Sequence, residues 1–410
     1  SSSLLTPHTS AGVGGAGVLR PRLLEAAGAD LARESTGRVG RPPAGVGGID
    51  WEVTGVDVSS RMGSGAQSFV FGATVSAARF GSFGHVWRLG NDDSAAAAPG
   101  QKLAVKTPKP VTEPAGDDES ATSERTQAQA RANKLLRWEA LILEKLRGVP
   151  NIVQLLGYDD LARQLYLPRL QPLANYLEHR FRTAPAEDRS LLLRKVIHDV
   201  LRGVAKLHEH CVCHRDLKID NVLIAGSLPR ECHSWKPSMM SAQLCDFGYS
   251  LMAGVNEDVD EARRLNPGTP PYIAPEVYAA RQPDIDDDAC RLDRGGWQRA
   301  DTYSASMMVW GLCHAKTTCF FPSVDSLDLK PHIKERKLCE LIMNKGVRPR
   351  LERRDQEVDQ GLQPLWEKLA GDGSLLARCW SPDPAERPTA AALLQGILEL
   401  DGTLEGGGDG

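Results

Sequence analysis

Long apolar runs are missing from this 410-residue chain. None approaches the ~20 residues that span a bilayer, and no signal-peptide pattern opens it, so the chain carries no membrane segment of its own. A dominant charge is missing too: a net charge of −4 argues against a nucleic-acid partner or an anionic membrane surface. Nine cysteines are odd in number and scattered, which suits a reducing compartment better than a disulfide framework. Cys211-Val212-Cys213 has no second Cys or His pair at metal-ligand spacing, so zinc is rejected and buried thiols are expected. Together these absences suggest a cytoplasmic, intracellular protein. The chain starts at Ser1 without a methionine. Whether it is a fragment, and whether a membrane segment lies upstream, are left open, as is the oligomeric state.

What is present is organised in blocks. Residues 1–50 are rich in Gly, Ala, Pro and Arg, and bury too little apolar surface to offset chain entropy, so a disordered arm is expected. A flexible Gly-rich tail is expected over 401–410. Residues 52–107 carry β-branched and aromatic runs broken by glycines, the pattern of a twisted antiparallel sheet. From Arg131 the apolar spacing turns helical through Leu135, Leu136, Leu141, Leu143 and Leu146. Further helices are predicted over Leu191–His208, Thr302–Ala315 and Ala390–Leu400. Solvated insertions are expected at Gly116-Asp117-Asp118-Glu119-Ser120, around Pro229 to Met240, and around Asn91 to Gly100.

Chemistry concentrates in His214-Arg215-Asp216-Leu217-Lys218-Ile219-Asp220-Asn221, then Asp246-Phe247-Gly248, then Ala274-Pro275-Glu276. Phosphoryl transfer asks for a group to receive a hydroxyl proton, which Asp216 can be, and for oxygens to hold magnesium, which Asn221 and Asp246 can supply. Lys218 adds positive charge where the transferring phosphate spreads its negative charge. In this order the motifs resemble a eukaryotic-type protein kinase domain over roughly residues 55 to 400. The resemblance implies an α+β bilobal fold. A small antiparallel β-rich N-lobe with one main helix would occupy about 55–168, and a larger mostly helical C-lobe about 169–400, with ATP in the cleft between them.

The family pattern then assigns residues. Lys106, in Leu103-Ala104-Val105-Lys106, matches the strand lysine that holds the ATP phosphates, and Glu139 is its natural partner, with Glu144 a structural alternative that breaks the leucine spacing. Two registers compete for the phosphate-covering glycine loop: Gly63, Gly65 and Val70, or Gly81, Gly84 and Val86. An intact turn glycine and a preceding strand favour the first. His214 and Phe247 would stack in an apolar spine, and Arg215 would await an anion, for which the run Glu257, Asp258, Asp260 and Glu261 is the candidate. Asp301 resembles the aspartate that braces the catalytic loop, and Glu276 should pair with Arg387 in a buried bridge. Cys245 should face the nucleotide pocket as a small buried hydrophobe.

Thr269 in the docking segment, together with Lys218, marks kinases that act on serine or threonine of protein substrates. Trp310, Gly346-Val347-Arg348-Pro349 and Cys379-Trp380-Ser381-Pro382 resemble the tyrosine-kinase-like branch, whose members are mostly Ser/Thr-specific. The cofactors implied are ATP and Mg²⁺, and the implied role is signal transduction. The alternatives are a pseudokinase-type ATP-binding scaffold and a tyrosine or dual-specificity kinase.

Overall fold

The computed structural model describes residues 56–64, 68–75, 86–87, 102–109, 119–229, 234–252, 268–279, 292–316, 320–325, 327–353, 355 and 357–402. The expected arm over 1–50, the insertion at 91–100 and residues 403–410 of the expected tail lie outside them. Ahead of the helical part stands a six-stranded antiparallel sheet, in the order β1-β2-β4-β6-β5-β3. Its strands are β1 (Val56–Ser64), β2 (Ser68–Val75), β3 (Val86–Trp87), β4 (Lys102–Pro108), β5 (Gly157–Asp159) and β6 (Gln164–Pro168). Strand β4 pairs with β2 on one side and β6 on the other, and its alternation sorts two environments. Leu103 and Val105 pack with Ala73 and Tyr166 in a small cluster. Ala104 joins the main core on the opposite face, and Lys106, two residues on, shares that face.

The helix α1 (Glu119–Lys145) covers it. Leu136, Ile142, Leu143 and Leu146 are buried, so the helical period brings Glu139 onto the same inward stripe. The first expected insertion is corrected here, because Glu119 and Ser120 already belong to the helix. The sequence from Glu119 to Lys134 holds no Gly or Pro, and its four Ala, two Gln, two Arg and two Glu sustain helix rather than loop. The strand β3 is likewise supplied by the chain between β2 and β4, and extends the sheet beyond β5.

The second part follows β7 (Gln171–Pro172) with α2 (Leu173–His179) and α3 (Ala186–Glu209). In α3 Leu192, Leu193, Val196, Ile197, Val200, Leu201 and Val204 are buried at helical spacing. Next come β8 (Val212–Cys213), β9 (Val222–Gly226), β10 (Met240–Leu244) and β11 (Leu251–Met252). The helices α4 (Pro275–Ala279), α5 (Arg294–Cys313), α6 (Pro322–Asp325), α7 (Pro331–Cys339), α8 (Gln363–Leu369), α9 (Leu375–Cys379) and α10 (Ala390–Asp401) complete the lobe. Strands β9 and β10 form a hairpin with β7 at its edge, and the stretch between them is the expected insertion, closed by Trp235 Nε1 donating to Ser227 O at 2.7 Å.

Gly203 lets α3 approach this hairpin. A Cβ there would meet Leu244 Cδ1 at 3.0 Å and Asn151 O at 3.1 Å. Asp401, expected to open the tail, is instead the last residue of α10, buried and ion-paired with Arg194 of α3. The expected boundary gives way because that carboxylate has a buried cationic partner. The described residues form a bilobal α+β fold.

Candidate active site

Three charged side chains meet where the lobes face each other. Lys106 Nζ donates to Glu139 Oε2 at 2.6 Å and to Asp246 Oδ1 at 2.8 Å. A carboxylate as buried as Glu139, 1% exposed, needs a cation to persist, and Lys106 is it. Glu144 instead pairs with Arg147 at 2.9 Å. Burial opposes the charge of Lys106, but Asp246 and then Glu139 outweigh it and raise the ammonium pKa above its usual value. Burial raises Glu139, with Lys106 pulling the other way. Asp246 goes down: burial works against its charge, and Lys106 overcomes it. Asp246 sits at φ 67, a left-handed turn that the next residue helps fix, since Phe247 N donates to Glu139 Oε1 at 3.3 Å. Helix, strand and this turn are therefore tied in one network.

A second network surrounds Asp216. Thr269 Oγ1 donates to Asp216 Oδ1 at 2.7 Å. Lys218 Nζ donates to Asp216 Oδ2 at 2.9 Å and to Thr269 Oγ1 at 2.7 Å. Asn221 Nδ2 donates to Asp216 O at 2.8 Å, which fixes the loop and leaves the Asn221 side-chain oxygen for another partner. The loop itself hangs on Asp301 of α5, which accepts from the backbone of His214 at 2.7 Å and of Arg215 at 2.8 Å. His208 Nε2 also lies 3.1 Å from Asp301. The His214 and Phe247 rings pack with centroids 5.0 Å apart, tilted by 53°, and His214 Nε2 is 3.0 Å from Cys245 O. Burial pushes the half-buried Cys245 thiol up, so it stays protonated.

Arg215 is where sequence reading was incomplete. Its guanidinium lies over the Trp297 ring, 4.1 Å from the centroid, and donates to Tyr249 O at 3.2 Å. Burial pushes its pKa down to about 10, against the pull of Asp301. The acidic run expected to meet it lies outside the described residues. Trp297 could have been found from its place four residues ahead of Asp301. Trp138 was also missed: its Nε1 donates to Ser250 O at 2.7 Å, linking α1 to the segment after Gly248.

On the far side Arg387 makes a fork with Glu276, at 2.7 and 2.8 Å. Above the site, β1 and β2 form a hairpin in which Gly63 faces Val70 and Val70 faces Lys106. Gly65, Gly81 and Gly84 lie outside the described residues. Val86 is corrected: it stands on β3 at the opposite edge of the sheet from β1, hydrogen-bonded to β5, because the chain after β2 crosses over before returning as β4.

The protein kinase domain model matches residues 115–397. The chain belongs to this family. Among similar proteins, the activin receptor type-2A of Ovis aries is 25% identical over 214 residues, covering 50% of this chain and 35% of that protein. An abscisic acid-inducible protein kinase of Triticum aestivum is 38% identical over 86 residues, 21% of each. A probable serine/threonine-protein kinase, roco8, of Dictyostelium discoideum is 24% identical over 237 residues, covering 57% of this chain and 10% of that protein. The matched part thus spans about a third or less of the length of these relatives.

In this kinase domain the two networks lie close enough that the Lys218 charge acts on Asp246. One offers a desolvated ammonium beside two carboxylates, the other a carboxylate flanked by an ammonium and a hydroxyl. The first suits polyanion binding and the second suits proton acceptance from an alcohol. Behind the second opens a cleft lined by Arg215, Asp216, Thr269, Tyr272, Trp297 and Ser304. Among the described residues no helix is long and apolar enough to cross a membrane.

Proposed function

We propose that the domain transfers the terminal phosphate of ATP to serine or threonine hydroxyls of protein substrates, in intracellular signalling. The observation that carries this reading is the Asp216–Lys218–Thr269 triangle, with all three contacts between 2.7 and 2.9 Å. Asp216 accepts the hydroxyl proton, and Lys218, held beside it, compensates charge on the transferring group. Lys106, oriented by Glu139, binds phosphate oxygens of the nucleotide, and the Gly63 to Val70 hairpin covers them. The relatives' printed names, two of them kinases and one of those serine/threonine-specific, support the substrate class.

The donor set fits magnesium. Asn221 and Asp246 present oxygens only, and Mg²⁺ is held by one or two carboxylates plus substrate phosphates rather than by a closed protein cage. Among the described residues no cluster of three or more His, Cys, Asp and Glu forms such a cage. Bound there, the ion would neutralise charge on the phosphates. Asp246 keeps a side chain 35% exposed, enough to reach a ligand in the cleft.

The test is transfer from labelled ATP in the presence of Mg²⁺ to peptides that differ only in Ser, Thr or Tyr. Label on serine and threonine supports the reading. Label on tyrosine overturns the specificity in favour of a tyrosine or dual-specificity enzyme. ATP binding without transfer favours a scaffold.

A further inference from the structure

We infer that Trp297 is a positioning residue for phosphoryl transfer, acting through Arg215 on the loop that carries Asp216; the inference rests on the kinase reading above. Trp297 and Asp301 are four residues apart on α5 and so are neighbours on one face of the helix. The Asp301 carboxylate accepts from the backbone amides of His214 at 2.7 Å and Arg215 at 2.8 Å. The Trp297 indole lies against the other end of the same residue, its centroid 4.1 Å from the Arg215 guanidinium carbon. One turn of α5 therefore grips Arg215 by its backbone and by its side chain. A third hold comes from Tyr249, whose carbonyl accepts from Arg215 Nη1 at 3.2 Å.

The grip has something to hold. Arg215 has φ 71, a region where a non-glycine residue persists only when its surroundings over-determine it. Asp216 is the next residue. A rotation of the peptide between them would turn the carboxylate away from Thr269 and Lys218. Trp297 is itself fixed: its amide donates to Asp293 O at 3.0 Å, and Asp293 caps the start of α5 by accepting from Gly296 N at 2.7 Å. Arg215 and Trp297 are 5% and 6% exposed, so the contact is desolvated, where a guanidinium–indole pair is strongest. Phenylalanine would keep a weaker aromatic face. Leucine would fill apolar space and offer none.

The test uses Trp297→Leu and Trp297→Phe in the full chain, with kcat and KM for ATP measured beside hydrogen exchange over residues 213–217. Trp297→Leu should lower kcat on the order of 10- to 100-fold with KM for ATP within about twofold, the signature of misplaced catalytic groups. It should also speed exchange of the His214 and Arg215 amides, and Trp297→Phe should restore most of both properties. An unchanged kcat in Trp297→Leu, a loss confined to KM, or exchange that rises uniformly over the lobe in both variants would overturn the inference. If the wild-type chain transfers no phosphate, the kinase reading fails by itself and exchange alone decides. Local acceleration in Trp297→Leu then supports the clamp, and its absence overturns it.

Discussion

Replacing Arg387 by methionine should be among the most damaging single changes in the lobe. The Arg387 side chain is fully buried, and that of Glu276 is 14% exposed. The fork between them closes at 2.7 and 2.8 Å, and Arg387 Nε also donates to Ser381 O at 2.9 Å. Arg387→Met strands the Glu276 carboxylate without the cation that compensates it. Removing one partner of a buried pair costs about 3–5 kcal/mol, and the lost bond to Ser381 adds roughly 1 kcal/mol. At about 2 °C per kcal/mol for a domain of this size, Tm should fall by roughly 8–12 °C. Glu276→Leu/Arg387→Met removes the stranded charge as well. Its cost should be less than the sum of the two single changes by on the order of 1–3 kcal/mol. Thermal and urea unfolding of the four proteins measure this. Because Glu276 sits at the start of α4, at the end of the segment Gly268–Glu276 proposed to dock substrate, KM for a protein substrate should rise before KM for ATP does. A single change costing under about 1 kcal/mol, or strictly additive costs, would refute the reasoning.

Lys106→Met leaves Glu139 and Asp246 facing each other without their cation, and kcat should fall on the order of 100- to 1000-fold in a steady-state transfer assay. Thr269→Val removes the hydroxyl that bridges Asp216 and Lys218. It should lower kcat by roughly tenfold with little change in KM for ATP, and Thr269→Ser should recover it. Trp138→Phe deletes the donor to Ser250 O and leaves that buried carbonyl unpaired, a loss of about 1–2 kcal/mol. Hydrogen exchange over residues 248–252 should rise in that variant while exchange in α10 stays as it was.

Much of the site was legible because its motifs sit at fixed offsets on regular elements. Lys106 follows an alternating strand and Glu139 a helical stripe, so both periods aim at one cleft, and the structure brings the two within 2.6 Å. Glu276 and Arg387, more than a hundred residues apart, were paired from motif alone and form a salt bridge. The sequence was silent where tertiary contact decides. Trp297 left only an indirect signal, its place four residues ahead of Asp301, and nothing in the string links Trp138 to Ser250, since each contact joins an aromatic that would serve equally as core filler. The length of α1 was underestimated because charged residues read as loop when their helix propensity is set aside. The sequence favoured one register of the glycine loop over the other by little, because Gly-rich segments before β4 look alike in one dimension. Sheet topology separates Val70, which faces Lys106, from Val86 at the far edge.

The most direct test of the central claim compares the wild-type chain with Asp216→Ala in two assays: transfer of labelled phosphate from ATP with Mg²⁺, and stabilisation of the fold by the same nucleotide. The account predicts that Asp216→Ala loses transfer by at least about a thousandfold while the nucleotide raises Tm as much as it does in the wild type. Transfer that survives the substitution would contradict the account.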